Sequence, residues 1–569
     1  MSDTTARSPR YLATLVAACL AVMVAQVAYS LPGSLNGTFQ QEFNISGAEL
    51  TWISAAFATA MVVFELTFGV LGDMFGRKRL MLGGAGLIVV GAALSASAQQ
   101  VEVMWIGQII SGIGAGALYP ISLAMIAAVV PDAQARAKAI ALWAGFLSLG
   151  AAVSPMMAAA LAEYASWRWA FGVVIAFALF SLVVSLGAQD SSSPEGRKLD
   201  IPGQVTLAVG LIALLWALTQ GSEEGWGNAA IIAGFVIGAL CLIAFVVIEL
   251  RTEVPLLHLN LFANRAFAIT GLTAVVGMFA FLGTCFSMSI WLGAVQHVSP
   301  LKIGLLFLVI QGPAFLLVPL VSRLIHSVSP RWVLTSGFGL MALAGYICSQ
   351  FDVETSTWTD FIAPMLLLGI GFAFTVASIT AVAINTVPLR LAGMASATTN
   401  LLRDFGFALG PVLVAAVANS VANGLLRDGL GAAAAQSNLG AAHTGAVMGI
   451  GEEGGAMALN SMPVIPVPTD PSQAPGPDNP MLQMPVAIKE LALTSLGSGY
   501  SLGFLVCAVC AAASGVLTLV GLFGAKPESK LAADLGTDVL HEVAGVAGDV
   551  GADPDPRSKL RREDSSAAR

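Results

Sequence analysis

Fourteen long apolar stretches, most of them joined by loops of only a few residues, leave this chain little choice of solvent. Each can cross a hydrocarbon layer about 30 Å thick as a helix, which takes roughly 20 residues. In lipid the backbone must satisfy its own hydrogen bonds, so such stretches are helices rather than loops or open strands. With 56% hydrophobic and 11% charged residues and a mean hydropathy of +0.82, a soluble domain is excluded. The fold class expected is therefore an all-α integral membrane protein with 14 transmembrane helices.

An even number of spans puts both termini on one face, and the basic residues say which. Four of the 26 lysines and arginines (Arg168, Lys302, Arg427 and Lys489) fall on the far side; the others, from Arg7 and Arg10 to the tail beyond 525, share the face of the termini. Because cytoplasmic segments collect Lys and Arg, both termini are expected inside the cell, in a plasma (inner) membrane. The first span lacks a small-residue cleavage site followed by a polar mature domain, so it reads as a retained helix.

Other function classes find little support. The net charge of −8 carries no basic cluster that suggests nucleic acid. All six cysteines lie in apolar spans, and the Cys507-x-x-Cys510 pair has no second pair or histidines beside it, so zinc and redox chemistry are not expected. The five histidines are scattered, and no nucleophile motif or phosphate loop is present, so neither an enzyme nor a cofactor or metal is anticipated. The segment 425–490 is rich in Gly, Ala, Ser and Asn and then in Pro; it reads as an extended linker or, more sharply, as a lid or docking segment. The tail, with Arg557, Lys559, Arg561 and Arg562, is expected to be disordered or to touch anionic lipid.

One loop breaks the apolar pattern: Gly69-Val70-Leu71-Gly72-Asp73-Met74-Phe75-Gly76-Arg77-Lys78-Arg79. Its spacing resembles the signature between the second and third helices of the major facilitator superfamily of transporters. The likeness extends to the 14-helix drug:proton antiporter branch through Gly112-Ile113-Gly114-Ala115-Gly116-Ala117-Leu118-Tyr119-Pro120, Ser166-Trp167-Arg168-Trp169-Ala170-Phe171, and Arg403-Asp404-Phe405-Gly406. The resemblance implies two six-helix bundles, 11–187 and 267–523, with two extra central helices over 201–249. It leaves residues 1–10 and 525–569 as cytoplasmic ends and 425–490 as an outer loop. It also implies a gate at Gly69, Asp73, Gly76, Arg77, Lys78 and Arg79, with Arg136 or a facing helix end as a partner for Asp73, and a flexible bend at Pro155. Gly112-x-x-x-Gly116 is the kind of stripe that lets helix backbones approach closely.

The departures fall where energy coupling is expected. Met23 and Ala28 replace the branch's usual first-helix aspartate and asparagine, and Gln108 replaces its fourth-helix arginine. If protons are still carried, buried ionisable residues elsewhere must carry them, because such groups are costly in lipid. Asp404, beside Arg403 on a small polar stripe with Asn400, is one candidate; its alternative is a purely structural pairing with Arg403. Glu65, on one face of its helix with Gly69 and Asp73, is the second; its alternative is a partner for Arg77.

The substrate path needs apolar walls and a few polar groups. Gln26, Tyr29 and Ser30 share one helical face, as do Gln108 and Tyr119; both faces are expected to point inward, with Phe286 and Gln311 completing the wall from the other bundle, along with Phe279 and Trp291. The resemblance thus implies a secondary transporter exporting lipophilic compounds, with small substrates, protons and membrane lipids as partners and a single chain as the unit. Two alternatives stand beside it: a lipid or metabolite exporter with altered coupling, and a transporter-like interaction protein.

Overall fold

The computed structural model describes residues 9–130, 133–192, 199–252, 255, 257, 259–387, 392–436, 441–462, 464–465 and 484–524. The terminal residues 1–8, the proline-rich stretch 466–483, the tail 525–569, and Arg197, Lys198 and Arg390 of the orientation argument lie outside them.

Among the described residues, 13 helices are long and apolar enough to cross a membrane. The first group comprises α1 (Pro9–Ser30), α3 (Gly47–Phe75), α4 (Arg77–Ser97), α5 (Val101–Val129), α6 (Ala133–Tyr164) and α7 (Arg168–Leu186), with the short α2 (Asn36–Phe43) lying between α1 and α3. Next comes a pair, α8 (Ile201–Glu224) and α9 (Ala229–Arg251). The last group holds α10 (Arg265–Ser289), α11 (Pro300–Leu316), α12 (Val318–Ser327), α13 (Pro330–Ser349), α14 (Ile362–Asn385), α15 (Ala392–Gln436), α16 (Ala441–Ser461) and α17 (Val486–Gly521). One expected span of the second bundle is broken into α11 and α12. Pro313 lies inside the first piece and Pro319 opens the second, and each removes a backbone donor that a continuous helix needs.

Within the first group α5 packs on α3, α4 and α1, and α1 on α6 and α7; in the last, α10, α13 and α15 each pack on α17. The two groups meet where α3 touches α15 and α6 touches α11, and α8 lies along the α3–α15 seam. Small residues make these approaches possible. A Cβ on Gly112 would run into the Phe57 carbonyl of α3, and one on Gly116 would sit 2.8 Å from the Met61 carbonyl, as the Gly-x-x-x-Gly stripe leads one to expect.

Local chemistry sets the helix ends. Ser46 and Glu49 form a capping box at the start of α3, while Asn228 and Asn264 cap α9 and α10 through their side-chain oxygens. At the other end of α3 the chain reverses through Gly76, at φ 102° and ψ 122°, a region that only glycine adopts readily.

The segment 425–490 departs from an extended linker. Helix α15 runs on to Gln436, and α16 then folds back against α15 and α17, kinking at Gly455 (φ 66°). Its composition is the reason the sequence misleads: Gly and Ala suit a flexible chain, but they also let helices sit close, and Ala456, Leu459 and Asn460 are fully buried. Asn460 donates to the Ala294 and Val295 carbonyls at 3.1 and 3.0 Å, at the end of a π-helical turn over Ile290–Val295. Gln40 of α2 donates to the Met457 carbonyl, and the Ser461 hydroxyl to Asn44 Oδ1 at 2.9 Å. Two-residue strands, Val464–Ile465 and Met484–Pro485, pair in parallel beyond it. This cap closes the end of the molecule opposite the Gly69–Arg79 loop.

His297, in the turn after the π-helical segment, joins the cap. Its Nδ1 is 3.0 Å from Gln41 Nε2 and its Nε2 3.3 Å from the Asn460 carbonyl, which also accepts from Lys489 Nζ at 2.8 Å. Burial first, and the Lys489 ammonium second, hold the imidazole below the usual histidine value of 6.5.

Two outcomes are expected. Because folding depresses this pKa, the contact's stability is present above the unfolded value and is lost as pH falls through the folded one; hydrogen exchange over 441–461 should then rise in the wild type relative to His297→Gln compared at the same pH. Gly76→Ala should cost about 1–3 kcal/mol, read as a lower melting temperature in detergent, because a Cβ there is conformationally strained and sits 3.1 Å from Asp190 Oδ2.

Candidate functional site

Between the two groups of helices lies a cavity of about 160 Å³. Helix α1 contributes Gln26, Tyr29 and Ser30 at helical spacing, α5 contributes Tyr119, and α6 contributes Pro155; from the other group come Phe286, Gln311, Arg403 and Asp404. Tyr119 donates its hydroxyl to Gln26 Oε1 at 2.6 Å, and Gln26 Nε2 donates to Ser30 Oγ at 2.8 Å, so three of the polar residues form one chain of hydrogen bonds. The Tyr29 hydroxyl and Asn36 Oδ1 also face this buried region with no partner among the described residues. They offer a donor and an acceptor to a bound molecule.

Arg403 and Asp404 are the charged residues of the wall. Nε and Nη2 of the guanidinium reach Oδ1 and Oδ2 of the carboxylate at 3.0 and 3.3 Å, and Asp404 is 4% exposed. Asn400, one turn earlier, accepts from Arg403 Nη1 at 3.3 Å; it orients the guanidinium and does not line the cavity. Glu65 on α3 is 8% exposed, and the Arg403–Asp404 pair acts on it electrostatically. A bidentate pair in so dry a place is held by mutual need, since removing either charge strands the other.

Gln108 departs from the inward face expected for it. It is buried against α4, donating to Ser95 Oγ at 3.2 Å, because Gly91 and Gly107 bring α4 and α5 into backbone contact on that side. Trp291 lies in the core of the last helix group against Phe361 and Phe504, and Phe279 also falls outside the cavity lining. The walls include residues the sequence did not single out: Phe281 stacks on Phe372 with ring centroids 3.9 Å apart and has Phe407 at 6.2 Å. Asn36 donates to Ser289 Oγ at 2.9 Å, and the Ser34 hydroxyl to the Pro155 carbonyl at 2.7 Å. The Asn36–Ser289 bond, with Gly37 pressed on Gly293, ties the helix groups together, while the Ser34–Pro155 bond holds the turn after α1 to α6. Phenylalanines facing lipid and phenylalanines facing a cavity look alike in sequence; Asn36, by contrast, was legible as a polar residue just past an apolar span.

At the opposite end, Asp73 Oδ1 accepts from Arg77 Nη2 at 2.7 Å and from Nε at 3.1 Å. Arg77 also reaches the Ala124 carbonyl of α5 at 3.4 Å and Ser191 Oγ at 3.3 Å. Lys78 Nζ donates to the Leu186 carbonyl at 2.6 Å, and its backbone N–H donates to Asp190 at 3.2 Å. These contacts gather α3, α4, α5 and the end of α7, all in the first helix group. Gly69 and Gly72 face α5 at Pro120 and Ile121, Arg79 is exposed, and Arg136 is half-buried near the start of α6. Arg77 bonds Asp73, the Ala124 carbonyl and Ser191, and Glu65 lies buried about two turns away from Asp73 on the same helix.

Comparison with known proteins agrees with this architecture. The Multidrug resistance protein Stp of Mycobacterium tuberculosis is 28% identical over 379 residues, spanning 66% of this chain and 70% of Stp. The Tetracenomycin C resistance and export protein of Streptomyces glaucescens is 25% identical over 409 residues, 70% of this chain and 74% of its own length. Among solved structures, a POT family transporter in complex with 5-aminolevulinic acid superposes with a TM-score of 0.55 at 12% identity, over 72% of this chain and 94% of its own, a likeness of fold. The profile of the Major Facilitator Superfamily matches residues 18–411, and with two helix groups closing on a central cavity the chain belongs to that superfamily of membrane transporters.

Proposed function

We propose that this protein is a proton-coupled exporter of lipophilic small molecules working by alternating access, with the Arg403–Asp404 pair as its coupling centre. The observation that carries this reading is the pair itself, a buried ion pair on the wall of the central cavity beside the α3–α15 seam. In this reading 11–187 and 267–523 are the two rocking bundles and 201–249 an added pair. The termini and the Gly69–Arg79 loop face the cytoplasm, the α16 cap faces outward, and a single chain in the plasma membrane is the working unit.

The physical sequence runs as follows. A proton on Asp404 removes one charge of a buried pair, and leaving Arg403 unmatched costs about 3–5 kcal/mol. That is enough to drive the guanidinium toward another partner, and Glu65 on the facing bundle is in electrostatic reach. A change of partner across the seam between bundles becomes a change in how the bundles meet. Ligand pockets are typically about 300–1,000 Å³, so the 160 Å³ cavity must widen to admit a substrate. Opening toward the cap breaks bonds such as Asn36 to Ser289 that are worth about 1 kcal/mol each. Asp73, Gly76, Arg77 and Lys78 brace the opposite gate, Arg79 and Arg136 hold it on the cytoplasmic side, and Pro155 loosens α6 where it meets α11.

The wall is aromatic, with a net-neutral ion pair and the Gln26, Tyr29, Ser30, Tyr119 and Gln311 polar groups. It suits neutral, zwitterionic or anionic amphiphiles, and relatives named for multidrug resistance and for tetracenomycin C resistance and export support such a class. In proteoliposomes loaded with a lipophilic fluorescent dye, an imposed pH gradient should drive flux in the wild type. Asp404→Asn should abolish the gradient-driven part, and Glu65→Gln should reduce it at least about tenfold, a barrier change of about 1.4 kcal/mol. Gradient-driven flux that persists in both variants at equal reconstitution contradicts the assignment.

A further inference from the structure

A second and larger cavity, about 730 Å³, lies away from the first, enclosed by α3, α5, α8 and α16 near the capped end. Its size is that of a ligand pocket. Among the described residues two charged side chains line it, Glu49 at the start of α3 and Glu223 near the end of α8, and no basic one does. Each carboxylate already accepts one backbone N–H at the α3 N-terminus, Glu49 Oε2 from Ser46 and Glu223 Oε1 from Ala48, both at 2.8 Å. A carboxylate can take roughly four such bonds, so both keep acceptor capacity. The helix end supplies only about half a positive charge against two negative ones. The cavity therefore stays electronegative.

Three tryptophans share the lining: Trp52 on α3, Trp105 on α5 and Trp216 on α8. Trp105 is fixed by its Nε1 donating to the Glu49 carbonyl at 3.1 Å. Trp52 and Thr59 are two helical turns apart on one face of α3, as Trp216 and Glu223 are on α8. Thr59 is 7% exposed, lines the cavity, and its Oγ1 has no hydrogen-bond partner among the described residues. Buried hydroxyls without partners are rare, and this one offers an acceptor or donor to whatever occupies the site. The lining also includes Ile109 and Ile212, 42% and 51% exposed on the outer surfaces of α5 and α8, so the cavity opens sideways toward lipid.

We propose that this lateral cavity binds the organic ammonium or phosphonium head of a cationic amphiphile, whose apolar part extends into the outer half of the bilayer. Carboxylates supply the charge match, and tryptophan faces attract a poorly hydrated cation. Two sources share this chemistry: the amine head of a membrane lipid and a free lipophilic cation. Because α8 packs on the α3–α15 seam, occupancy here bears on a helix that touches both bundles.

The test is equilibrium binding of tetraphenylphosphonium to the full chain in dodecyl maltoside micelles, whose head carries no amine. Glu223→Gln, which keeps an acceptor for Ala48 while removing the charge, and Trp216→Ala, which leaves the α3 cap intact, should each weaken binding about tenfold or more. Adding phosphatidylethanolamine to the micelles assigns the source: competition in the wild type marks a lipid amine, and undiminished binding marks a free cation. Affinity unchanged in both variants overturns the proposal.

Discussion

A charge taken out of water must be matched where it goes, and that constraint organises the middle of this molecule. Asp404 sits on α15 almost fully buried and Arg403 beside it is partly buried, the two bonded through Nε and Nη2 of the guanidinium and both carboxylate oxygens, with Asn400 holding Nη1. A low-dielectric site strengthens the pair and also makes its loss expensive, so any event that neutralises one partner forces a rearrangement. In the proposed mechanism, placing that instability at the junction of the two helix groups, rather than inside one, is what converts a proton into a movement.

The surroundings are built to let that movement happen without unfolding either half. Within each group glycines bring backbones together, as Gly112 does on Phe57 and Gly345 on Ala508, so the halves move as bodies. Between the groups the side-chain hydrogen bonds include Asn36 to Ser289 and Gln40 to Met457, beside close small-residue contacts such as Gly37 on Gly293. Hydrogen bonds of this kind exchange with water at little net cost, unlike interlocked apolar surfaces. The π-helical turn at Ile290–Val295 lies where α2 and α16 both press on α10, an irregularity at the point that must yield.

Much of this was legible before any coordinates. The Gly69–Arg79 loop could be recognised because it is charged in an apolar chain and because its glycines, Asp73 and Arg77-Lys78-Arg79 stand at a distinctive spacing. Asp404 and Glu65 stood out as ionisable groups inside apolar helices. Gln108 misled because helical periodicity gives a face but not its neighbour, and α4 competed with the cavity for the same side of α5. Helix α16 was illegible because Gly and Ala serve a loose linker and a tight helix contact equally. The break between α11 and α12 was written in Pro313 and Pro319 but masked by uninterrupted hydrophobicity, and the acidic cavity beside α8 depends on four helices that no local pattern brings together.

The central claim is that protonation at the Arg403–Asp404 pair selects between two arrangements of the bundles. The most direct measurement is a spin-label distance across the end bearing the Gly69–Arg79 loop, with labels at the exposed positions Phe75 on α3 and Trp332 on α13 in a background without the six native cysteines. The account predicts two distance populations whose ratio changes with pH in the otherwise wild-type protein, and a ratio insensitive to pH once Asp404 is Asn. A pH-dependent ratio that survives in Asp404→Asn would contradict it.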